Sequence, residues 1–248
     1  MSKHGRTPVV FGFGSAAIDF RIRTADFGPD YREKLLAQET TLLGGGAVAN
    51  SLVQVSRLGG GAVFLGKLGN DWMGERIEAG LTSEGVDCSA IIKDPKGCSP
   101  FNVAVYAGSE RRRIGGFLLP NALSQTTDDE IDRFASYPHA GDLLLIEVGE
   151  IPISTCLRLA EICSQRGVRV VLDVDLDPIK QCESRGDEFA ALVRASHIIM
   201  PNRDAMMSLY PDTSARELAH LMARDFKRTV VVTAGVHGAF LCFDGDEV

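Results

Sequence analysis

No apolar run in the 248-residue sequence is long enough to cross a membrane, and no apolar signal core follows the opening MSKHGRTP. Cysteine pairing is also missing. The six cysteines, Cys88, Cys98, Cys156, Cys163, Cys182 and Cys242, include no C-x-x-C. They read as reduced thiols of a cytosolic protein, several of them packed in a core. The five histidines, His4, His139, His197, His220 and His237, never fall at metal-ligand spacing. Basic residues are the minority, 26 Lys and Arg against 33 Asp and Glu, and the pI is near 5.3. That balance argues against a broad nucleic-acid or anionic-membrane face. The expectations are therefore no nucleic-acid partner, no membrane and a cytoplasmic location. What is present is ordinary for a folded protein: 45% hydrophobic and 24% charged residues exclude disorder. The length suits one large α/β core with a small appendage, and no internal repeat or linker divides it.

One stretch organises the chain, Leu43 to Gly74. Gly44 to Gly46 open it, and Val48, Leu52, Val55 and Leu58 then recur in helical rhythm, giving one apolar stripe. Gly59 to Gly61 stop this helix. Ala62 to Leu68 reads as one short buried strand, and Gly69-Asn70-Asp71 turns into a second helix. A glycine-rich turn entering a helix exposes backbone N–H groups and admits a polar ligand close to the main chain. Asn50 is the polar exception in the first turn.

The pattern Gly45-Gly46-x-x-x-Asn50, then Gly59, then Gly66-x-x-Gly69-x-Asp71-x-x-Gly74, resembles the first signature of the ribokinase-like (PfkB) carbohydrate kinases. It is long and its glycines are ordered, so it is far more specific than a short glycine motif. The resemblance implies transfer of the ATP γ-phosphoryl group to a sugar or nucleoside hydroxyl, with ATP and Mg²⁺ as cofactors. It also implies substrate binding by Asp19, Gly45, Gly46 and Asn50, and a small β lid over the pocket. Family lids often pair between subunits, so a homodimer through the lid is expected.

Elsewhere the chain alternates. Pro8 to Phe13 is a buried strand, followed by Gly12-x-Gly14-x-x-Ala17, which mimics a dinucleotide fingerprint and makes an NAD(P)-dependent Rossmann oxidoreductase a rival. That fingerprint needs a helix at the turn; Ile18, Phe20 and Ile22 instead alternate with Asp19, Arg21 and Arg23, a strand period. Residues Thr24 to Gln38, broken by Gly28-Pro29-Asp30, read as a loop or lid element. Trp72 to Glu84 is an amphipathic helix and Ser89 to Lys93 a brief strand. Phe101, Val103 and Val105 alternate, Gly108-Ser109 turns, and Arg111 to Arg113 follow, so Ser99 to Phe117 reads as an exposed hairpin. The lid insertions are thus about residues 18–43 and 99–117.

From Thr126 the pattern is β-α-β. Thr127 to Glu130 and Ser214 to Glu217 are capping boxes. Strands are expected at 142–148, 168–174, 197–200, 229–234 and 238–243, with helices between the first four. Asp244-Gly245 reads as a hairpin turn, with Val248 beginning a return strand. The fold class is α/β, a mainly parallel sheet covered by helices on both faces, in a single domain.

Ligands of such sheets bind beyond the carboxyl ends of the strands, where Glu150, Asp173, Asn202 and Thr233 lie. Glu150 is a substrate-binding candidate. In the resemblance, Leu172 to Pro178 stands where the family has D-P-N-x-R: Asp173 matches, but the Asn is Asp175 and the Arg is Asp177. Three acids there could orient a magnesium ion through water, with Asp173 as the metal candidate, while a cationic partner for phosphate is lost. Asn202 matches the family's N-x-x-E, whose glutamate is replaced by Ala205; structural capping is its other reading. Thr233-x-Gly235-x-x-Gly238 matches the nucleotide-binding turn, so Asn202, Thr233, Gly235 and Gly238 are the nucleotide-binding set. No D-T-x-G-A-G-D segment, which supplies the family's anion hole and catalytic Asp, occurs in the 248 residues. The resemblance therefore implies a catalytic Asp C-terminal to Val248. The expectation is a domain incomplete at its C-terminus, inactive by itself, with no catalytic residue assigned. The alternative is a non-catalytic sugar-binding or regulatory protein that keeps the pocket. The sequence names neither the sugar nor the nucleoside.

Overall fold

The computed structural model describes residues 6–25, 34–107, 112–180, 186–243 and 246–247, with residues 112–114 and 246–247 described by backbone alone. The expected turns at Gly28-Pro29-Asp30, Gly108-Ser109 and Asp244-Gly245, the side chains of Arg111 to Arg113, and Cys182 lie outside that description. Val248 lies outside it too. The return strand expected to begin there is described instead at Asp246–Glu247, paired with Phe243 and Cys242.

In chain order the elements are β1 (Val9–Phe13), β2 (Ala17–Thr24), β3 (Glu39–Gly45), α1 (Ala47–Arg57), β4 (Gly61–Leu65), β5 (Lys67–Gly69), α2 (Trp72–Ser83), β6 (Ile92–Asp94), β7 (Phe101–Ala107) and β8 (Arg112–Leu118). They continue with α3 (Asp128–Ala135), β9 (Leu143–Val148), α4 (Ile153–Gln165), β10 (Arg169–Val174), α5 (Gly186–Ala195), β11 (Ile198–Pro201), α6 (Ala215–Phe226), β12 (Thr229–Thr233), β13 (Ala239–Phe243) and β14 (Asp246–Glu247).

Eight strands form the main sheet in the order β14-β13-β12-β11-β10-β9-β1-β4. It is parallel from β4 to β12 and antiparallel beyond. Its strands are apolar because helices pack on them. Helices α3 to α6 bury Phe134, Leu159, Leu192 and Leu218 against Phe13, Ile146, Leu172 and Val232. On the other face α1 and α2 bury Val48, Leu52, Ile77 and Leu81 with Phe64 and Leu145. Each such side chain contributes roughly 1.5–3 kcal/mol when fully buried. Across β10 to β13 this second face is thinner: Val171, Met200, Val231 and Leu241 are only half-buried.

Four strands form a separate small sheet, β3-β2-β7-β8, in which β2 and β7 run parallel and the outer pairs antiparallel. Its edges leave Leu42, Leu43, Phe117 and Leu118 exposed.

Both capping boxes form, with Thr127 and Ser214 accepting from the N–H groups of Glu130 and Glu217 and each glutamate reaching back. Asp71 caps α2, accepting from Gly74 N–H at 2.8 Å. Three local readings need correction. Ala62 to Leu68 is two strands, because Gly66 breaks it where any Cβ would meet the Phe64 ring at 2.3 Å. Leu58 is 78% exposed, since α1 ends at Arg57 and Leu58 is its C-cap. The brief strand expected at 89–93 is instead Ile92–Asp94, pairing with β5.

Candidate functional site

The small sheet stands over the carboxyl ends of β1, β9 and β10, enclosing a cleft of about 320 Å³. Asp19, Gly46, Asn50, Asn102, Glu150 and Asp175 all border it. Sequence positions far apart meet here because β1 lies beside β9, and β9 beside β10.

The cleft floor hangs on one buried carboxylate. Glu147, 5% exposed, accepts from Ser15 N–H at 2.7 Å and from Ser15 Oγ–H at 2.6 Å. Ser15 Oγ in turn accepts from Ala47 N–H at 2.9 Å, and its carbonyl accepts from Ala49 N–H at 3.1 Å. Serine therefore caps α1 from another element, and two of the helix-start N–H groups expected to face a ligand are already taken. Burial pushes the Glu147 carboxyl above the usual range, against the Ser15 hydrogen bonds. Gly14 leaves the room this needs, since a Cβ there would lie 2.4 Å from Val48 and 2.8 Å from Glu147. The Gly12-x-Gly14 pattern thus serves close packing, and the segment after it is strand β2 rather than a helix.

Asp19 projects from β2. Its carboxylate accepts from Asn102 Nδ2 at 3.0 Å and lies 3.9 Å from the Arg21 guanidinium. It packs flat on Gly45, where a Cβ would sit 2.5 Å from it. Gly46 holds φ 99 and ψ 132, open to glycine almost alone, and a Cβ would strike the Ser15 carbonyl at 2.4 Å. Asn50 borders the cleft and also a rear cavity of about 790 Å³ between α1 and α2. Glu150 accepts from Asn121 Nδ2 at 2.7 Å. Burial raises its pKa to about 6, with the nearby Glu147 adding to the shift.

A second cleft, about 930 Å³, opens past the ends of β10, β11 and β12. Asn202, Thr233 and Gly235 border it. The Asn202 amide is engaged at both heads, donating to the Asp175 carbonyl at 2.9 Å and accepting from Ala205 N–H at 2.7 Å. It brackets the exits of β10 and β11. Gly235 and Gly238 hold φ 55 and 85, and the Gly238 carbonyl accepts from Ala234 N–H at 2.8 Å. Gly238 shapes the turn without bordering the cleft.

The three acids of the Leu172 to Pro178 segment do not act together. Asp177 is buried and accepts from the N–H groups of Ile179 and Lys180, both at 3.0 Å. It is a local cap. Lys180 and Arg203 border the same cleft, so the expected loss of cationic partners does not hold there. Asp173 pairs in register with Glu147, and burial, then Glu147 and Asp175, lift its pKa to about 7. Among the described residues no group of three or more His, Cys, Asp or Glu side chains gathers to hold a metal ion. Magnesium usually takes one or two carboxylates plus substrate phosphates. The exposed Asp175 is the acid at hand for that, because it borders both clefts.

Sequence reasoning missed Asn102, Ser15, Glu147, Arg21, Lys180 and Arg203. Only Asn102 carried a local signal, as the polar partner in the Phe101-Val103-Val105 alternation.

Among the described residues no helix is long and apolar enough to cross a membrane. The sequence model for the pfkB family carbohydrate kinases matches residues 9–248. Fructokinase-1 of Oryza sativa subsp. japonica is 32% identical over 176 residues, 69% of this chain and 52% of that protein. Ribokinase of Haemophilus influenzae is 25% identical over 218 residues, 86% of this chain and 68% of that one. The chain spans about half the length of the fructokinases it matches. The structure of Arabidopsis thaliana ribokinase complexed with ribose and ATP superposes with TM-score 0.76 at 22% identity, over 97% of this chain and 76% of that chain. Phosphofructokinase-2 from Escherichia coli superposes with TM-score 0.74 at 18% identity, over 98% and 77%. These likenesses show the α/β fold shared with ribokinase-like proteins.

Proposed function

This chain belongs to the pfkB family of carbohydrate kinases, and from that premise we propose that it binds a free sugar in the smaller cleft and ATP in the larger one. One observation carries the reading: the two clefts meet at a single residue, Asp175. Phosphoryl transfer depends on positioning donor and acceptor and on stabilising charge between them, and adjoining clefts with a shared wall serve that need. On the sugar side, Asp19, Asn50 and Glu150 offer carboxylate and amide groups suited to hydroxyls, with Gly45 and Gly46 keeping the main chain close. On the nucleotide side, Asn202 and the Thr233 to Gly238 turn would hold the phosphates, with Lys180 and Arg203 supplying positive charge. Magnesium would neutralise phosphate charge when bound, and Asp175, which borders both clefts, is the carboxylate that would hold it.

Fructose and ribose, named by the relatives, are the first sugars to try; a nucleoside is the other acceptor class. The exposed Leu42, Leu43, Phe117 and Leu118 on the small sheet support its use as a lid and a pairing surface between two copies. A cytoplasmic location completes the reading. Calorimetric titration of the 248-residue chain with each ligand tests it. Asp19→Ala should weaken sugar binding far more than ATP binding, and equal losses would count against the assignment. With no G-A-G-D segment among the 248 residues, an ADP-release assay on them is expected to show no sugar-dependent turnover.

A further inference from the structure

Asn102 lies opposite Asp19 in the parallel register of β2 and β7. Both border the smaller cleft. The hydrogen bond from Asn102 Nδ2 to Asp19 Oδ1, 3.0 Å long, settles which way the amide faces. A carboxylate only accepts, so the nitrogen turns toward Asp19 and the oxygen away. That oxygen is buried and has no hydrogen-bond partner among the described residues. Buried amide oxygens are nearly always paired in folded proteins, and an orphan marks a place where a donor is due. Beyond it on the same strand the next cleft residue is Ala104, too small to supply one. Arg21, also at the cleft, stands near Asp19 at 3.9 Å.

We propose that Asn102 is a specificity-determining residue of the cleft: its Nδ2 pins Asp19, and its Oδ1 accepts from a sugar hydroxyl adjacent to the one Asp19 holds. The pair then reads two neighbouring hydroxyls, and a sugar lacking one of them is rejected. This rests on the sugar-binding reading above.

The test uses the 248-residue chain, D-fructose, D-ribose and their monodeoxy analogues, followed by calorimetry. Loss of the hydroxyl at either of two adjacent ring positions should weaken binding to the unsubstituted chain by about 10–100-fold, one of the two through Asn102. Asn102→Leu keeps the branched shape and removes both polar atoms. It should bind the parent sugar more weakly by a similar factor and become indifferent to that one deoxygenation, with ATP affinity unchanged. Asn102→Asp supplies a second variant with its own readout. Two carboxylates this close share one proton until the pH rises well above the usual carboxylate range. The protonated form still offers one donor and one acceptor, so the ratio of its sugar affinity to that of the unsubstituted chain should fall as pH rises. If the unsubstituted chain binds ATP but no sugar, the sugar-cleft reading fails and takes this proposal with it. Should sugar bind, the proposal alone is overturned by either of two results. One is Asn102→Leu keeping the full discrimination against deoxy sugars. The other is Asn102→Asp showing no pH dependence in that ratio, which would also decide the matter were the leucine variant to misfold.

Discussion

Adding one methyl group to each of Gly44, Gly45 and Gly46 in turn should have three different effects. At Gly44 a Cβ meets nothing within 4 Å. Gly44→Ala should leave ligand binding alone and, by restricting the unfolded chain, add about 0.4–1 kcal/mol of stability. At Gly45 the same atom would lie 2.5 to 2.6 Å from all three carboxyl atoms of Asp19. That side chain is partly exposed and can swing away, so the fold survives while the carboxylate leaves its place. Losing one charge-assisted hydrogen bond of about 1.5–3 kcal/mol weakens sugar binding by roughly 10- to 150-fold. At Gly46 the collision is with the Ser15 backbone at 2.4 Å, and φ is 99. Backbone does not swing away, and the conformation alone costs an alanine of order 1–3 kcal/mol. For a chain of this size that lowers the melting temperature by roughly 2–12 °C. Melting curves and sugar titrations on the three variants separate the outcomes. A Gly45→Ala protein that binds sugar as well as Gly44→Ala would refute the placement of Asp19 on that glycine.

The raised Glu150 carboxyl, near 6 because of burial, is ionised at neutral pH and gains its proton below about 6. Sugar affinity should therefore fall as pH drops from 7 to 5, and Glu150→Gln should flatten that dependence in titrations where ATP binding serves as control. Ser15→Ala strands Ala47 N–H and half of the Glu147 bonding, costing about 1–3 kcal/mol, visible as a lower denaturation midpoint with an unchanged slope. The proposed lid pairing predicts that the chain sediments as a dimer and that Phe117→Asp, at a position 62% exposed on the small sheet, shifts it toward monomer; a monomeric parent or an unaltered dimer would refute pairing through this sheet.

Much of the architecture was legible because it follows from periods and caps. Period two after Gly14 identified β2 and dismissed the dinucleotide rival, and the two capping boxes marked α3 and α6. The candidate site was most legible where a long ordered motif ran through it, as with Gly46 and Asn50, and at strand ends such as Glu150 and Thr233. Glu147 sits in an apolar run that reads as a buried strand, and its partner Ser15 is 132 residues away, so nothing local marks it. Asp177 followed by proline and two further backbone donors is a local turn signal that a count of charges overlooks. Lys180 and Arg203 reach one cleft through the ordering of β10, β11 and β12, which single-sequence patterns do not encode.

The bond between Asn102 and Asp19 joins residues 83 positions apart, on neighbouring strands of the small sheet between which the chain passes through β4 of the main one. Contacts of such separation form late, because closing the intervening chain costs entropy before any contact rewards it. Adding Glu150 and Asp175 extends the requirement further along the polypeptide. A nascent chain emerging from the ribosome would thus carry the complete glycine turn and helix α1 long before it could grip a ligand. On the proposed reading, affinity for sugar is then an indicator of finished folding, acquired in one late step rather than built up residue by residue.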